Sequence, residues 1–122
     1  MFGEIEALNM FQYFDTPICF FGHSHFPVVF GLDDEALTTR IPLTNGGDNC
    51  RIKLDKTKRY LINPGSIGQP RDTDPRASYA TYDSRKQRIE VRRVPYRIDL
   101  AQQRITEAGL PESLAFRLGL GR

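Results

Sequence analysis

One short stretch constrains this chain more than any other: Ile18-Cys19-Phe20-Phe21 runs straight into Gly22-His23-Ser24-His25-Phe26-Pro27, whose two histidines are the only ones in 122 residues. Four apolar residues bounded by Thr16-Pro17 and by Gly22 read as a buried strand whose carboxyl end opens into a loop. Imidazole is the commonest neutral metal ligand and binds only when one ring nitrogen is unprotonated. In extended backbone, residues i and i+2 point to one side, so His23 and His25 would face one pocket; a loop would instead splay them towards two neighbouring ions. Gly22 would let the backbone turn tightly or pass close to a ligand. The competing reading makes one histidine a satisfied surface or core residue and the other a loop residue, and four residues alone do not displace it.

The second half of the chain shifts the balance. Leu61-Ile62-Asn63-Pro64-Gly65-Ser66-Ile67-Gly68-Gln69-Pro70-Arg71-Asp72, followed by Asp74-Pro75-Arg76-Ala77-Ser78-Tyr79-Ala80, is a second strand running into a loop of unusual composition. Together the two stretches resemble the C-terminal part of a calcineurin-like metallophosphoesterase, a family in which a strand ending in Gly-His-x-His supplies the last metal ligands and an Asn-Pro-Gly-Ser loop follows downstream.

The resemblance implies a binuclear centre of divalent ions (Mn, Fe, Zn or Ni), with His23 on one metal and His25 on the other. Two ions roughly 3.5–4 Å apart acidify a bridging water and stabilise the attacking and leaving oxygens of an in-line displacement at phosphorus. The family's other ligands come from an early Asp-x-His, a bridging Gly-Asp, an Asn-His motif and a further histidine. None has a counterpart here, and the missing Asn-His histidine is the family's expected leaving-group acid, so no catalytic residue is assigned. Two neutral imidazoles supply no bridging carboxylate and cannot close the coordination of even one ion. The expectation is that the chain alone neither holds metal tightly nor hydrolyses phosphoesters. Asp33, Asp34, Asp48, Asp72 and Asp74 are read as turn residues, because turns use Asp for its own backbone hydrogen bonds far more often than metals use it.

The resemblance spans the chain from its first helix to Leu118, so residues 1–122 are expected to form a single, incomplete domain. The expected partners are a small phosphorylated substrate (a phosphomonoester, a phosphodiester or a nucleotide) and the missing N-terminal half of the domain or a second copy. Asn63, Gly65 and Ser66 expose an amide, a hydroxyl and glycine N–H groups, which either donate to a phosphate or brace the histidine loop. Bracing is favoured. Arg71 and Arg76 either contact an anionic substrate or pair with Asp72 and Asp74, and the alternating local charge favours pairing.

Composition fits one small soluble domain with a single core: 39% of residues are hydrophobic and 26% charged. A net charge of +2 is too weak to imply nucleic acid or membrane as partner. Cys19 and Cys50 form neither a metal spacing nor a disulfide framework, which suits reduced thiols in a cytoplasmic protein. No segment approaches the roughly 18 apolar residues of a membrane span, and no export signal is evident.

Periodicity orders the elements. Ile5, Leu8, Phe11 and Phe14 form a helical stripe over Gly3 to Phe14. Short strands are expected at Pro27 to Phe30, Ala36 to Ile41 and Tyr60 to Asn63. Thr44 to Asn49 is expected as an exposed hairpin loop between Leu37–Leu43 and Arg51–Leu54. Ser78–Asp83 and Arg88–Val94 read as an antiparallel hairpin. Asp99 and Gln102 suggest a helix cap, Gly109 a helix stop and Pro111 the start of a last helix ending near Leu118. The order implies an α+β fold, sheet packed on sheet with helices outside and strands mostly antiparallel, the C-terminal half of a metallophosphoesterase-type sandwich. The alternative function is a non-catalytic interaction module with structural histidines. A nucleic-acid binder using the arginines ranks last, because lysines and aromatics are not interleaved along one face.

Overall fold

The computed structural model describes residues 3–34, 36–42 and 46–122. Two sheets face each other. The first is β1 (Ile18–Phe20), β5 (Arg59–Asn63), β2 (Val28–Leu32) and β3 (Leu37–Arg40), in that spatial order; the second is β4 (Asn49–Lys53), β7 (Arg88–Val94) and β6 (Ala77–Asp83). Helix α1 (Glu4–Met10) precedes them, and α2 (Ile98–Glu107) and α3 (Glu112–Leu120) close the chain. The fold is α+β, with every strand pair antiparallel except β1 with β5.

Strand alternation builds two apolar layers. Val29, Tyr60 and Ile62 of the first sheet meet Ile52, Ile89 and Val91 of the second, and Leu54 joins them. The alternate residues Val28, Phe30 and Leu61 point to the opposite face, where Ala7 and Phe11 cover them. Successive side chains of a strand point to opposite faces, so a sheet covered on both sides needs continuous apolar runs. Val28-Val29-Phe30 and Tyr60-Leu61-Ile62 are those runs.

Four expectations change. The first strand is an edge: Ile18 and Cys19 are half-buried, and Phe20 is 51% exposed. Its apolar sequence resembled a central strand because hydrophobicity does not count neighbours. Second, β3 and β4 belong to different sheets, so the segment between them is a crossover and not a hairpin; residues 43–45 of that segment lie outside the described residues. Third, α1 ends at Met10, and Gln12 and Tyr13 continue as tight turns on Asn9 and Met10. Once helical geometry stops, the i, i+3 stripe loses meaning. Ala7 and Phe11 face the sheet while Ile5 is 74% exposed and Leu8 43%.

Fourth, α2 begins at Ile98, so Asp99 lies inside its first turn and Arg97 occupies the cap position. The Asp99 carboxylate pairs with Arg97 at 2.8 and 2.5 Å, a fork that lowers it to about 2. Gln102 instead donates its amide to the Ala115 carbonyl at 3.0 Å and ties α2 to α3. Gly109, with φ +71, stops α2 as expected.

Which face of α1 carries the packing is testable by urea unfolding. Phe11→Ala should cost about 3–5 kcal/mol, whereas Ile5→Ala should change stability by less than about 0.5 kcal/mol. The opposite ranking would show that the helix presents its other face to the sheet.

Candidate functional site

Because β1 and β5 are parallel, with Ile18, Cys19 and Phe20 opposite Tyr60, Leu61 and Ile62, both strands end at the same edge. The loop Gly22–His25 therefore emerges beside Asn63–Ser66. Carboxyl ends of adjacent parallel strands are where α/β sheets collect ligand groups.

Asn63 joins the two loops. It is fully buried. Its Nδ2 donates to Ser24 Oγ at 2.9 Å and to the Gly22 carbonyl at 3.4 Å, and its Oδ1 accepts from the Gly65 N–H at 2.9 Å. A side chain between the two histidines is thereby fixed by a residue from the neighbouring strand. Ser66 Oγ accepts from the N–H groups of Gly68 at 3.2 Å and Gln69 at 2.9 Å, turning the chain towards His25. Ser78 Oγ donates to the Pro64 carbonyl at 2.7 Å, and the Ser78 N–H to the Ser66 carbonyl at 2.9 Å. Asn63 and Ser66 thus spend these groups on bracing.

Glycine is demanded at one of the two positions singled out. Gly65 has φ +88, and a Cβ there would lie 2.7 Å from Ser78. Gly22 has ordinary φ and open space around it. Its contribution is a carbonyl that accepts from Asn63 and from the Ser24 N–H.

The histidines are not extended. His23 and His25 both take left-handed backbone, φ 75 and 58, so the two-residue alternation of a strand does not apply to them. Non-glycine residues pay for that region, and such strain persists where surrounding contacts hold it in place. His23 is exposed and His25 half-buried. The Nδ1 of His25 lies 2.8 Å from the Gln69 carbonyl. A carbonyl only accepts, so Nδ1 carries a proton, and in the neutral ring it is Nε2 that holds the lone pair. Metal-binding histidines are commonly oriented this way, by a second group on the other ring nitrogen.

Two imidazoles fit part of a divalent-metal site, and among the described residues no group of three or more His, Cys, Asp or Glu side chains could hold an ion. The nearby carboxylates have other partners. Asp72 binds the Arg93 guanidinium, whose side chain is fully buried. Asp74 accepts from Arg76 at 2.7 Å, and Arg76 also reaches Asp48 at 2.7 Å and the Gly47 carbonyl at 2.9 Å. Burial lowers the pKa of Arg93, while its neighbouring carboxylates raise that of Arg76. Arg93 was not singled out from sequence, because one arginine in an alternating strand looks like a solvated residue. Arg71 stands apart: it is exposed, and its guanidinium donates to Gln69 Oε1 at 3.3 Å.

No family model matches the chain. An uncharacterised protein of Methanocaldococcus jannaschii is 44% identical over 114 residues, which cover 93% of this chain and 42% of that protein. A crystal structure of a metallophosphoesterase from Sphaerobacter thermophilus superposes with a TM-score of 0.79 and 46% identity, over 97% of this chain and 47% of that one. The chain thus spans less than half the length of either relative. Over nearly its whole length it is metallophosphoesterase-like, in fold and in sequence.

Two measurements follow from this geometry. Long-range nitrogen–proton NMR should find neutral His25 as its Nδ1–H tautomer; an Nε2–H tautomer would contradict the Gln69 contact. Asp74 is held below the ordinary carboxylate range, first by the Arg76 side chain and then by the Arg76 N–H. A depressed folded-state pKa gives stability that is complete above the unfolded value, about 3.9, and is lost as pH falls through the folded one. Asp74→Asn should therefore lower stability at pH 7 by about 1–3 kcal/mol and flatten its decline on acidification below about pH 4, read from urea midpoints across pH.

Proposed function

We propose that this chain contributes the closing pair of histidine ligands, His23 and His25, to a binuclear metal-dependent phosphoesterase centre whose remaining ligands lie outside its 122 residues. The observation that carries the reading is the positioning of His25: left-handed backbone and Nδ1 committed to the Gln69 carbonyl, which makes Nε2 the nitrogen open to a metal in the neutral ring. A histidine that merely filled a loop would not need the orienting acceptor. Similarity to the metallophosphoesterase of Sphaerobacter thermophilus supports the same chemistry.

In this reading residues 1–122 are the C-terminal half of one domain. When bound, the two ions would activate water and bind the phosphate oxygens. The chain's own residues orient those ligands. Asn63 locks Ser24 between the histidines, Gly65 allows the tight return of the chain, and Ser66 shapes the turn that brings the Gln69 carbonyl to His25. Gly22 belongs to the same brace through its carbonyl. Arg76 is a positioning residue for the 70–76 loop. Substrates are phosphomonoesters, phosphodiesters or nucleotides, and cytoplasmic residence suits the two unbridged cysteines. Among the described residues, no helix is long and apolar enough to cross a membrane.

The test is a chimera that joins this chain to the part of the Sphaerobacter protein it does not cover. Mn2+-dependent hydrolysis of p-nitrophenyl phosphate or bis-p-nitrophenyl phosphate is expected. His23→Ala and His25→Ala should each lower kcat/KM by more than about a hundredfold, the size of effect seen when one well-placed charge-stabilising group is removed. This chain alone should take up Mn2+ weakly in calorimetry. A folded chimera that binds two ions but loses nothing on either substitution would leave the histidines structural and the chain an interaction module.

A further inference from the structure

Beside the histidine loop, on the α1 side of the four-stranded sheet, lies a cavity of about 380 Å³. Its walls are Phe26, Val28, Phe30 and Ile41. Ser24 and Arg71 provide the polar groups at one end, Glu4 and Thr39 at the other. Strand register gives the cavity its direction. Phe30 lies opposite Thr39, and Val29 opposite Arg40, so the wall continues along the pair towards Val28 and Ile41 and the histidine loop. At the far end Thr39 Oγ1 donates to Glu4 Oε1 at 2.8 Å, so those two polar groups are already paired.

The near end is different. The Arg71 N–H donates to the His25 carbonyl at 3.3 Å, which ties this arginine to the metal-ligand loop. Its guanidinium meets only the neutral Gln69 amide oxygen at 3.3 Å, and among the described residues no carboxylate is within ion-pair distance. Arg76 and Arg93, which serve the same 70–76 loop, are both carboxylate-bound. An arginine fork left available beside an apolar slot suits a ligand with an anionic head and an apolar body. The volume falls in the range of about 300–1,000 Å³ typical of small-molecule sites.

We infer that this cavity receives the organic group of the substrate, a flat apolar ring system, while Arg71 binds its phosphate at the mouth beside His23 and His25. That role rests on the phosphoesterase reading, whereas binding itself requires only the cavity and Arg71. A sugar phosphate is disfavoured, because its hydroxyls would lie against Phe26, Val28, Phe30 and Ile41 without partners. Fixing the ring in the slot holds the phosphate at one place, which is the positioning an in-line displacement needs.

Fluorescence titration of this chain in EDTA tests the proposal, with 1-naphthyl phosphate, 1-naphthol, glucose 6-phosphate and inorganic phosphate as probes. The aryl phosphate should bind at least about tenfold more tightly than any of the other three, since it alone uses both halves of the site. Arg71→Gln should weaken 1-naphthyl phosphate to the level of 1-naphthol and leave 1-naphthol unchanged. Ile41→Trp, a half-exposed wall position, should fill the slot and weaken both aryl probes, while Arg104→Gln on α2 should alter none. Unchanged melting temperatures show that the variants are folded. Equal affinity for the aryl and sugar phosphates, or an Arg71→Gln variant that binds like the parent, overturns the assignment. EDTA removes the metals, so failure here is separate from failure of the chimera to hydrolyse esters.

Discussion

The parallel pairing of β1 with β5 is the constraint on which the site depends. The intervening chain, including two strands of the same sheet and one of the other, is folded away so that Phe20 comes to lie opposite Ile62. Only then do the two loops leave the sheet at one edge, and only then can the buried amide of Asn63 reach Ser24. A buried primary amide is costly unless its donors and acceptor are used, and here both are. Removing it would leave the Gly65 N–H and the Ser24 hydroxyl without the partner that holds the loops together.

Around that link the fold separates packing from charge. The apolar layers on the two faces of the first sheet require no polar atoms, apart from Tyr60, whose hydroxyl accepts from the Asp55 N–H at 2.8 Å. Charged groups gather instead along the 70–76 loop, where Asp72 and Asp74 meet Arg93 and Arg76. Breaking one side of a buried pair strands the other charge, so these contacts specify where the loop runs even if they add little net stability. The last residues of the chain serve the same end. The Gly121 carbonyl accepts from the Thr73 N–H at 3.0 Å, and the Arg122 carbonyl accepts from Gln69 Nε2 at 3.0 Å. The orientation of His25 therefore draws on β1, the loop after β5 and the C-terminal helix together.

The exposed features have a consistent placement. Phe20 on the β1 edge and Ile5 and Leu8 on the outer face of α1 stand in solvent. An edge strand offers unpaired backbone groups to whatever chain can reach it.

Hydrophobic runs, turn residues and the two loop motifs were enough to place most strands, the hairpin of β6 and β7, both C-terminal helices and the bracing character of Asn63-Pro64-Gly65-Ser66. Those are local properties: side-chain alternation and glycine or proline geometry act over a few residues. What the linear order could not express was partnership. Nothing in Leu37–Arg40 and Asn49–Lys53 says that they join different sheets, nothing in Ile18–Phe20 marks an edge, and nothing in Arg93 distinguishes a fully buried ion pair from a solvated strand residue. The left-handed turns at His23 and His25 also belong to the tertiary structure, because residues with a Cβ adopt them only when contacts from elsewhere make up for the strain. Residue types and their spacing determined which family this chain resembles; the meeting of two distant strands decided where its loops are held, because long-range contacts alone choose neighbours.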